Sequence, residues 1–285
     1  MFHERARAKI NLSLRVLGRA MDGWHELESF VAFAGIGDHL SFEPAAFLRL
    51  AVSGPTAEAA GPNDANLVIR AARELATRVR NLQPGCFQLH KILPAAAGMG
   101  GGSADAAAAL RLLAAQNKIA LNDPRVTAAA EAIGADVSVC LESKCRIIRG
   151  RGEILDQPTV IEPLVSVLVN AGVPLATEQV FRELGIAPGA TWQTGTVSAS
   201  SSLKDIRRIA LEGRNDLQAA AIALAPSIQT VLDALARTQG LLAARMTGSG
   251  GTCFGLFVNR GAASRAASAI AFRHPSWWVR ATLLR

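Results

Sequence analysis

Residues 94–105 read PAAAGMGGGSAD and lead into an alanine- and leucine-rich stretch that is predicted to be helical as far as Gln116. Glycines let backbone N–H groups approach a ligand closely, because no side chains intervene. The first turn of a helix adds unpaired N–H donors and a partial positive charge. This pattern predicts a phosphate cradle, in which Ser103 could cap the helix or offer its hydroxyl to a phosphate or to Mg²⁺. A flexible turn or a helix–sheet packing contact is the alternative interpretation.

Two familiar nucleotide-binding loops are excluded by the residues present. A Walker A loop ends in Gly-Lys-Ser/Thr, and this stretch has no lysine. A dinucleotide-binding fingerprint needs a third spaced glycine, where Ser103 stands. The loop therefore indicates phosphate binding of a different kind.

Asp136 and Lys9 are candidates for chemistry at such a phosphate. Asp136 follows Gly134 in a predicted turn, and a carboxylate there could accept a proton from an attacking alcohol. Lys9 lies beside Asn11 on the polar side of a strand predicted over residues 8–17. A lysine near a transferred phosphoryl group would stabilise its charge. An ordinary turn acid and a solvated strand lysine remain the alternatives.

Trp24 and His25 follow a turn signal, Asp22-Gly23. The tryptophan could provide a stacking surface for a base ring, or it could belong to the core. The histidine could contact a ligand, although isolated histidines are commonly structural. A second glycine cluster at residues 248–251 is compatible with a plain hairpin turn.

The bulk composition limits the protein class. The chain has 285 residues, 50% of them hydrophobic, with a formal net charge of +7. The basic residues are scattered, so neither a nucleic-acid nor a membrane partner is expected. The four cysteines form no C-x-x-C pair, which indicates reduced thiols. With no secretory signal and no apolar stretch of membrane-spanning length, we expect a cytoplasmic protein.

The order of predicted elements indicates an α+β protein of two domains. The pattern loosens around residues 156–163, which places domains at residues 1–158 and 159–285. The second half reads approximately as the split β-α-β order of ferredoxin-like domains. The polar segment 191–202 receives no assignment.

Three motifs together resemble those of the GHMP kinases. They are the 94–105 stretch, the Ala8-Lys9-Ile10-Asn11-Leu12 segment and the Thr247–Phe254 glycine motif, which occur in the expected order and cover the chain end to end. Further segments, above all Asp22-Gly23-Trp24-His25, sharpen the likeness to the branch that phosphorylates a cytidine-diphospho sugar alcohol. The resemblance implies a two-domain fold with an ATP-binding N-terminal domain, a left-handed β-α-β unit and a ferredoxin-like C-terminal domain.

The resemblance also implies an activity and the residues that support it. It implies ATP- and Mg²⁺-dependent phosphorylation of the substrate's 2-hydroxyl in non-mevalonate isoprenoid biosynthesis, by a monomer or weak homodimer. Asp136 would be the catalytic base and Lys9 its partner. The implied ATP contacts are Asn66, Lys91, Pro94, Ala95, Ala96, Ala97, Gly98, Met99, Gly100, Gly101, Gly102, Ser103 and Ala104. The implied substrate contacts are Asn11, Trp24, His25, Asp136, Thr177 and Phe181, with Trp24 and Phe181 on either side of the cytosine.

Two alternatives stay open at this point. A different GHMP kinase or decarboxylase would share the motifs but prefer another substrate. A non-catalytic module for RNA or nucleotides is favoured only by the basic sequence pI of about 9.9. Turnover of ATP would distinguish the second alternative from a kinase.

Overall fold

The first strand is longer and more deeply buried than its sequence predicts. In the computed structural model, which describes residues 1–61, 63–192 and 203–285, β1 runs from Phe2 to Arg19. Its apolar residues are buried, but Lys9, Asn11 and Ser13 on the other side are also only 3–5% exposed. The alternating residues 8–17 predict a half-buried strand, and this prediction is wrong because both faces of the strand are covered over this stretch.

The chain divides into two compact units. The first unit comprises Met1–Lys9, Ile36–Ala95 and Gly100–Ser143, and the second comprises Ile10–Gly35, Ala96–Met99 and Lys144–Arg285. Strand β1 and strand β2 (His25–Pro44), which pair with each other, contribute residues to both units. The sequence-based domain boundary between residues 158 and 159 stays a prediction.

The first unit packs helices on a small mixed sheet. Strand β4 (Gly85–His90) pairs antiparallel with the end of β2 and parallel with β3 (Arg49–Ser53). Helix α1 (Leu67–Arg78) lies between β3 and β4 in the chain, giving a β-α-β unit whose handedness stays a prediction. Short 3₁₀ turns precede α1 at Ala57–Ala60 and Asn63–Ala65. The remaining helices are α2 (Gly101–Gln116), α3 (Pro124–Ile133) and α4 (Ala135–Glu142).

The second unit has an antiparallel sheet in the order β10-β7-β9-β8, and its elements follow one another as β-α-β-β-α-β. This order confirms the predicted ferredoxin-like domain. Its strands are β5 (Arg146–Gly150), β6 (Ile154–Leu155), β7 (Leu164–Asn170), β8 (Leu241–Met246), β9 (Thr252–Phe257) and β10 (Trp278–Leu284). Its helices are α5 (Thr177–Glu183), α6 (Leu203–Glu212), α7 (Gln218–Leu224), α8 (Ser227–Ala236) and α9 (Arg260–Arg273).

Some predicted elements need correction. The sequence predicts two separate strands, near residues 27–33 and 40–42, but the structure has one continuous strand there, β2. Asp136 lies in the first turn of α4, not in an irregular turn. Residues 193–202 of the unassigned polar segment lie outside the described residues.

The cysteines are free thiols, as predicted. Burial raises the pKa of Cys140, Cys145 and Cys253 to about 12, so these thiols stay protonated at neutral pH. In the described ranges, no helix has the length and apolar character that crossing a membrane requires.

Candidate active site

The glycine loop has a backbone that explains its composition. Gly98 and Gly100 adopt left-handed φ angles of 69° and 61°. Within the second unit, a Cβ at Gly98 would lie 2.5 Å from the carbonyl oxygen of Thr247, so a side chain would collide there. Ala96 also has a positive φ, 47°, which is uncommon for a residue with a Cβ. The glycine loop thus adopts a left-handed backbone conformation at Ala96 as well as at its glycines, and an alanine does not favour this conformation by itself.

Helix α2 begins directly after this loop with an open N-terminus. Its N-cap is Gly100, which provides no side-chain cap, and its first turn contains no acidic residue. The N–H groups of a first turn lack intrahelical partners and carry partial positive charge. Ser103 lies in this turn and is partly exposed. The arrangement fits a phosphate group, as the sequence predicts.

Lys9 and Asp136 form an ion pair beside the N-cap of α2. Lys9 Nζ lies 2.8 Å from Asp136 Oδ1, and the two side chains are 7% and 47% exposed. A Cβ at Gly100 would lie 3.4 Å from Lys9 Cε and 3.9 Å from Asp136 Oδ2. Glycine at residue 100 therefore leaves space beside the ion pair. There the half-exposed carboxylate of Asp136 and the buried ammonium of Lys9 lie next to the N-terminus of α2.

Asp136 is further stabilised by its own helix. It lies in the first turn of α4, where the helix dipole favours a negative charge. Its half-exposed oxygens remain accessible to a hydroxyl group, whereas Lys9 is shielded from water. Such a pair can accept a proton from an alcohol and stabilise charge on a transferred group.

Lys91 and Asn66, the two implied nucleotide contacts outside the loop, already have protein partners. Lys91 Nζ donates to Asp105 Oδ2 at 2.7 Å and also bonds to Asp38. Asn66 is the N-cap of α1, where its Oδ1 accepts from Val68 N at 2.9 Å.

The charges around Lys91 shift its pKa and that of Asp105. Burial lowers the pKa of Lys91, but the charges of Asp105 and Asp38 outweigh burial, so the pKa is raised overall. Burial, reinforced by the charge of Asp38, raises the pKa of Asp105 to about 8 against the opposing effect of Lys91. The Asp105 carboxyl is therefore mostly protonated at neutral pH, beside the ammonium of Lys91.

In the second unit, His25 and Phe181 form one cluster of implied substrate contacts. The rings stack with centroids 4.6 Å apart and an angle of 28° between their planes. Burial, with a smaller contribution from Arg19, lowers the pKa of His25. Among the described residues, its Nε2 has no hydrogen-bond partner although it is buried. A neutral imidazole with an unused nitrogen is suited to bind a polar group of a ligand.

The described ring contact of Trp24 is with Arg151, and not with the His25–Phe181 stack. Its side chain is 59% exposed, and the guanidinium of Arg151 lies 5.3 Å from its ring centroid. Arg151 is in turn paired with Asp22. The sandwich of a cytosine ring between Trp24 and Phe181 stays a prediction. One face of Phe181 is occupied by His25.

Asn11 and Thr177 each contact the second glycine motif, Thr247–Phe254, in this unit. Asn11 donates from its backbone N to Thr247 Oγ1 at 2.8 Å and from Nδ2 to Ser29 Oγ at 2.7 Å, leaving its buried Oδ1 unpaired in the described part of the chain. The Thr177 hydroxyl lies 2.8 Å from the hydroxyl of Ser249. Side chains of the second glycine motif therefore form structural hydrogen bonds, in addition to the close approach that its glycines permit.

Asn215 holds the second glycine motif. Its Nδ2 donates to the carbonyls of Met246 at 2.9 Å and Gly248 at 2.8 Å. Sequence reasoning gave no role to Asn215, Asp38 or Asp105. The available signals were an acid inside an apolar strand for Asp38, an acid inside an alanine-rich helix for Asp105, and the Asn-Asp pair for Asn215.

Comparison with known proteins agrees with this fold. Residues 66–144 match the model for the GHMP kinase N-terminal domain, and residues 197–275 match that for the GHMP kinase C-terminal region. A 4-diphosphocytidyl-2-C-methyl-D-erythritol kinase of Methylobacterium radiotolerans is 52% identical over 99% of this chain and 98% of its own length. A protein of the same name from Rhodopseudomonas palustris is 50% identical, covering 98% of this chain and 95% of its own.

Solved structures lead to the same family. A crystal structure of 4-(cytidine 5'-diphospho)-2C-methyl-D-erythritol kinase has a TM-score of 0.81, 30% sequence identity and 99% coverage of both chains. A homoserine kinase from Cytophaga hutchinsonii shares the fold, with a TM-score of 0.68, 19% identity and coverage of 98% and 92%. The chain belongs to the GHMP kinases and, within them, to the 4-diphosphocytidyl-2-C-methyl-D-erythritol kinase family.

Proposed function

We propose that this protein transfers the γ-phosphoryl group of ATP to the 2-hydroxyl of 4-diphosphocytidyl-2-C-methyl-D-erythritol, giving the 2-phosphate and ADP in non-mevalonate isoprenoid biosynthesis. The observation that carries the chemical part is the Lys9–Asp136 pair, 2.8 Å apart, against the N-cap glycine of α2. The family membership supports the choice of substrate.

Asp136 acts as the general base in this proposal. Its half-exposed carboxylate accepts the proton of the 2-hydroxyl as the oxygen forms its bond to the γ-phosphorus. The bond from that phosphorus to the bridging oxygen of ADP breaks, and ADP leaves with the bonding pair. Lys9 pairs with Asp136 and offsets negative charge on the transferred group.

The loop from Pro94 to Ala104 holds the phosphates in line with the hydroxyl. Its glycines and the open first turn of α2 supply backbone donors, which is the usual protein contribution to phosphoryl transfer. Mg²⁺ would neutralise charge on the phosphates, and Ser103 is the residue in the loop whose hydroxyl could reach it. Asn66, at the start of α1, would border the nucleotide.

Substrate selection is assigned to Asn11, Trp24, His25, Thr177 and Phe181. The unpaired His25 Nε2 and Asn11 Oδ1 are polar atoms suited to the cytidine and alcohol groups. The exposed indole of Trp24 provides an aromatic face for the cytosine ring. A cytoplasmic location and a monomeric or weakly dimeric state stay predictions.

A substrate panel tests the proposal. ADP release would be measured from the purified chain with ATP, Mg²⁺ and either the cytidylyl methylerythritol, mevalonate or homoserine. We expect turnover only with the first, and phosphorus NMR of the product should show a new phosphomonoester at the 2-position. Preference for another alcohol would refute the substrate assignment.

A variant tests the role of the base. Asp136→Asn should retain ATP binding and lose roughly 10²-fold or more in kcat, because it removes the proton acceptor. Glu131→Gln, a carboxylate-to-amide change at an exposed residue of α3, is the matched control and should leave kcat unchanged. Near-full activity of Asp136→Asn would contradict the assignment.

A further inference from the structure

Three ionisable side chains are buried together in the first unit, beside the glycine loop. Lys91 is 6% exposed, Asp38 is fully buried, and Asp105 is 3% exposed. Lys91 Nζ bonds to both carboxyl groups, at 2.7 Å to Asp105 Oδ2. Buried ionisable groups are costly unless they have partners, and here Lys91 is a partner to both acids.

The cluster connects the two ends of the loop. Asp38 Oδ1 accepts hydrogen bonds from Ile92 N at 2.6 Å and Leu93 N at 2.9 Å, the two residues that immediately precede Pro94. Asp105 lies on α2 and immediately follows the 94–104 segment, whose last four residues form the first turn of that helix. Lys91 bonds to both carboxyl groups and therefore links the segment before the loop to the helix after it.

The lysine is also close to the loop backbone. A Cβ at Gly101, the first residue of α2, would lie 3.8 Å from Lys91 Nζ and 3.6 Å from Leu93 Cδ1. The backbone of Lys91 is itself fixed, since its N–H donates to Ser53 O at the end of β3 at 2.8 Å. The ammonium of Lys91 thus lies at a fixed position beside the first residue of α2, the helix whose N-terminus is proposed to bind the phosphates.

We propose that Lys91, Asp38 and Asp105 form a positioning network that fixes both ends of the segment 94–104, so that the ammonium of Lys91 affects ATP through this segment and does not contact it. The inference rests on the proposed use of this loop for ATP. It differs from the role that the resemblance implies for Lys91, a direct nucleotide contact. A site held by residues with fixed rotamers and satisfied hydrogen bonds is more accurately placed than one on a free loop.

Variants at the carboxyl groups distinguish the two roles, since neither carboxyl is exposed enough to reach a ligand. Asp105→Ala and Lys91→Met should each raise the KM for ATP on the order of tenfold to a hundredfold, because small displacements of a positioned group have effects of this size. The KM for the cytidylyl substrate should stay unchanged. Asp105→Asn keeps an oxygen that accepts from Lys91 and should restore an ATP KM close to that of the wild type.

The control variant is Glu74→Gln, which breaks the Glu74–Arg78 ion pair on α1 in the same unit and should not alter either KM. Because Lys91→Met leaves two buried carboxyl groups without a cation, a second variant guards against unfolding. The triple change Lys91→Met, Asp38→Asn, Asp105→Asn removes all the charge together, and neutral replacement of buried ion pairs is commonly tolerated. It should melt cooperatively and still show the raised ATP KM.

ATP binding, measured by calorimetry without the second substrate, separates this inference from the proposed function. Weakened ATP binding in Asp105→Ala and Lys91→Met supports the network even if the wild type fails to phosphorylate the cytidylyl alcohol. A defect in Lys91→Met alone, with Asp105→Ala binding ATP normally, would mean direct contact and would overturn the proposal. So would wild-type ATP affinity in the folded triple variant.

Discussion

The carboxyl group of Asp105 should make the stability of this protein fall as the pH rises. Burial, with the charge of Asp38, raises its pKa to about 8, whereas an unfolded aspartate has its ordinary pKa of 3.8. Between these two values the folded state holds a proton that the unfolded state has lost. The stabilisation is therefore fully present below the unfolded pKa and is lost as the pH rises through the folded one.

The size of this effect follows from the linkage between protons and folding. One extra proton in the folded state changes the free energy of unfolding by about 1.4 kcal/mol per pH unit. From pH 5.5 to 7.5 the contribution of Asp105 should fall by about 3 kcal/mol. Asp105→Asn resembles the protonated acid in shape and cannot ionise, so this contribution disappears in the variant.

Urea unfolding of the wild type and Asp105→Asn at several pH values would measure the effect. The difference in their free energies of unfolding should move in favour of the variant as the pH rises. Glu74→Gln, a change on α1 away from the cluster, should give a profile parallel to the wild type. Parallel profiles for the wild type and Asp105→Asn over this range would show that the carboxyl is already ionised, and the reasoning about burial would be refuted.

Two further predictions concern the second unit. Asn215→Asp replaces the amide nitrogen that donates to Met246 O and Gly248 O by an oxygen that faces the same two carbonyls. In urea titrations this change should lower the free energy of unfolding by about 3 kcal/mol. A loss below about 1 kcal/mol would contradict the role of Asn215. Trp24→Ala should raise the KM for the cytidylyl substrate about tenfold with no change in ATP KM or melting temperature, whereas Trp24→Phe should retain most of the affinity. Equal KM values for the two Trp24 variants would exclude stacking.

The proximity of Lys9 and Asp136 was implied by the resemblance to the GHMP kinases, because no local pattern links two residues so far apart in the chain. The helix up to Gln116 was predictable from its alanine- and leucine-rich composition, but it begins at Gly101, inside the predicted glycine loop. The helix depends on a local pattern, in which residue type and backbone conformation are directly linked.

Other features depend on contacts between residues far apart in the chain, which no local sequence pattern predicts. The alternation of Val137, Val139 and Leu141 resembles a strand, but these residues form α4, where all three are buried. Gly35 and Gly37 suggest a break in β2, yet a Cβ at Gly37 would clash with the backbone of Ala6, so glycine there permits close packing of a continuous strand. The partners of Lys91 are 53 and 14 residues away in the chain, beyond the reach of any spacing rule.

The passage of β1 and β2 through both units limits how this gene can be recombined. A cut after residue 158 would leave the C-terminal fragment without residues 10–35, which belong to the same compact unit. Leu284 of β10 would lose its pairing with Ala34, and Arg285 its two backbone bonds to Phe33. Chimeras with related kinases would therefore keep a coherent second unit only if the N-terminal strands and the C-terminal half came from the same parent.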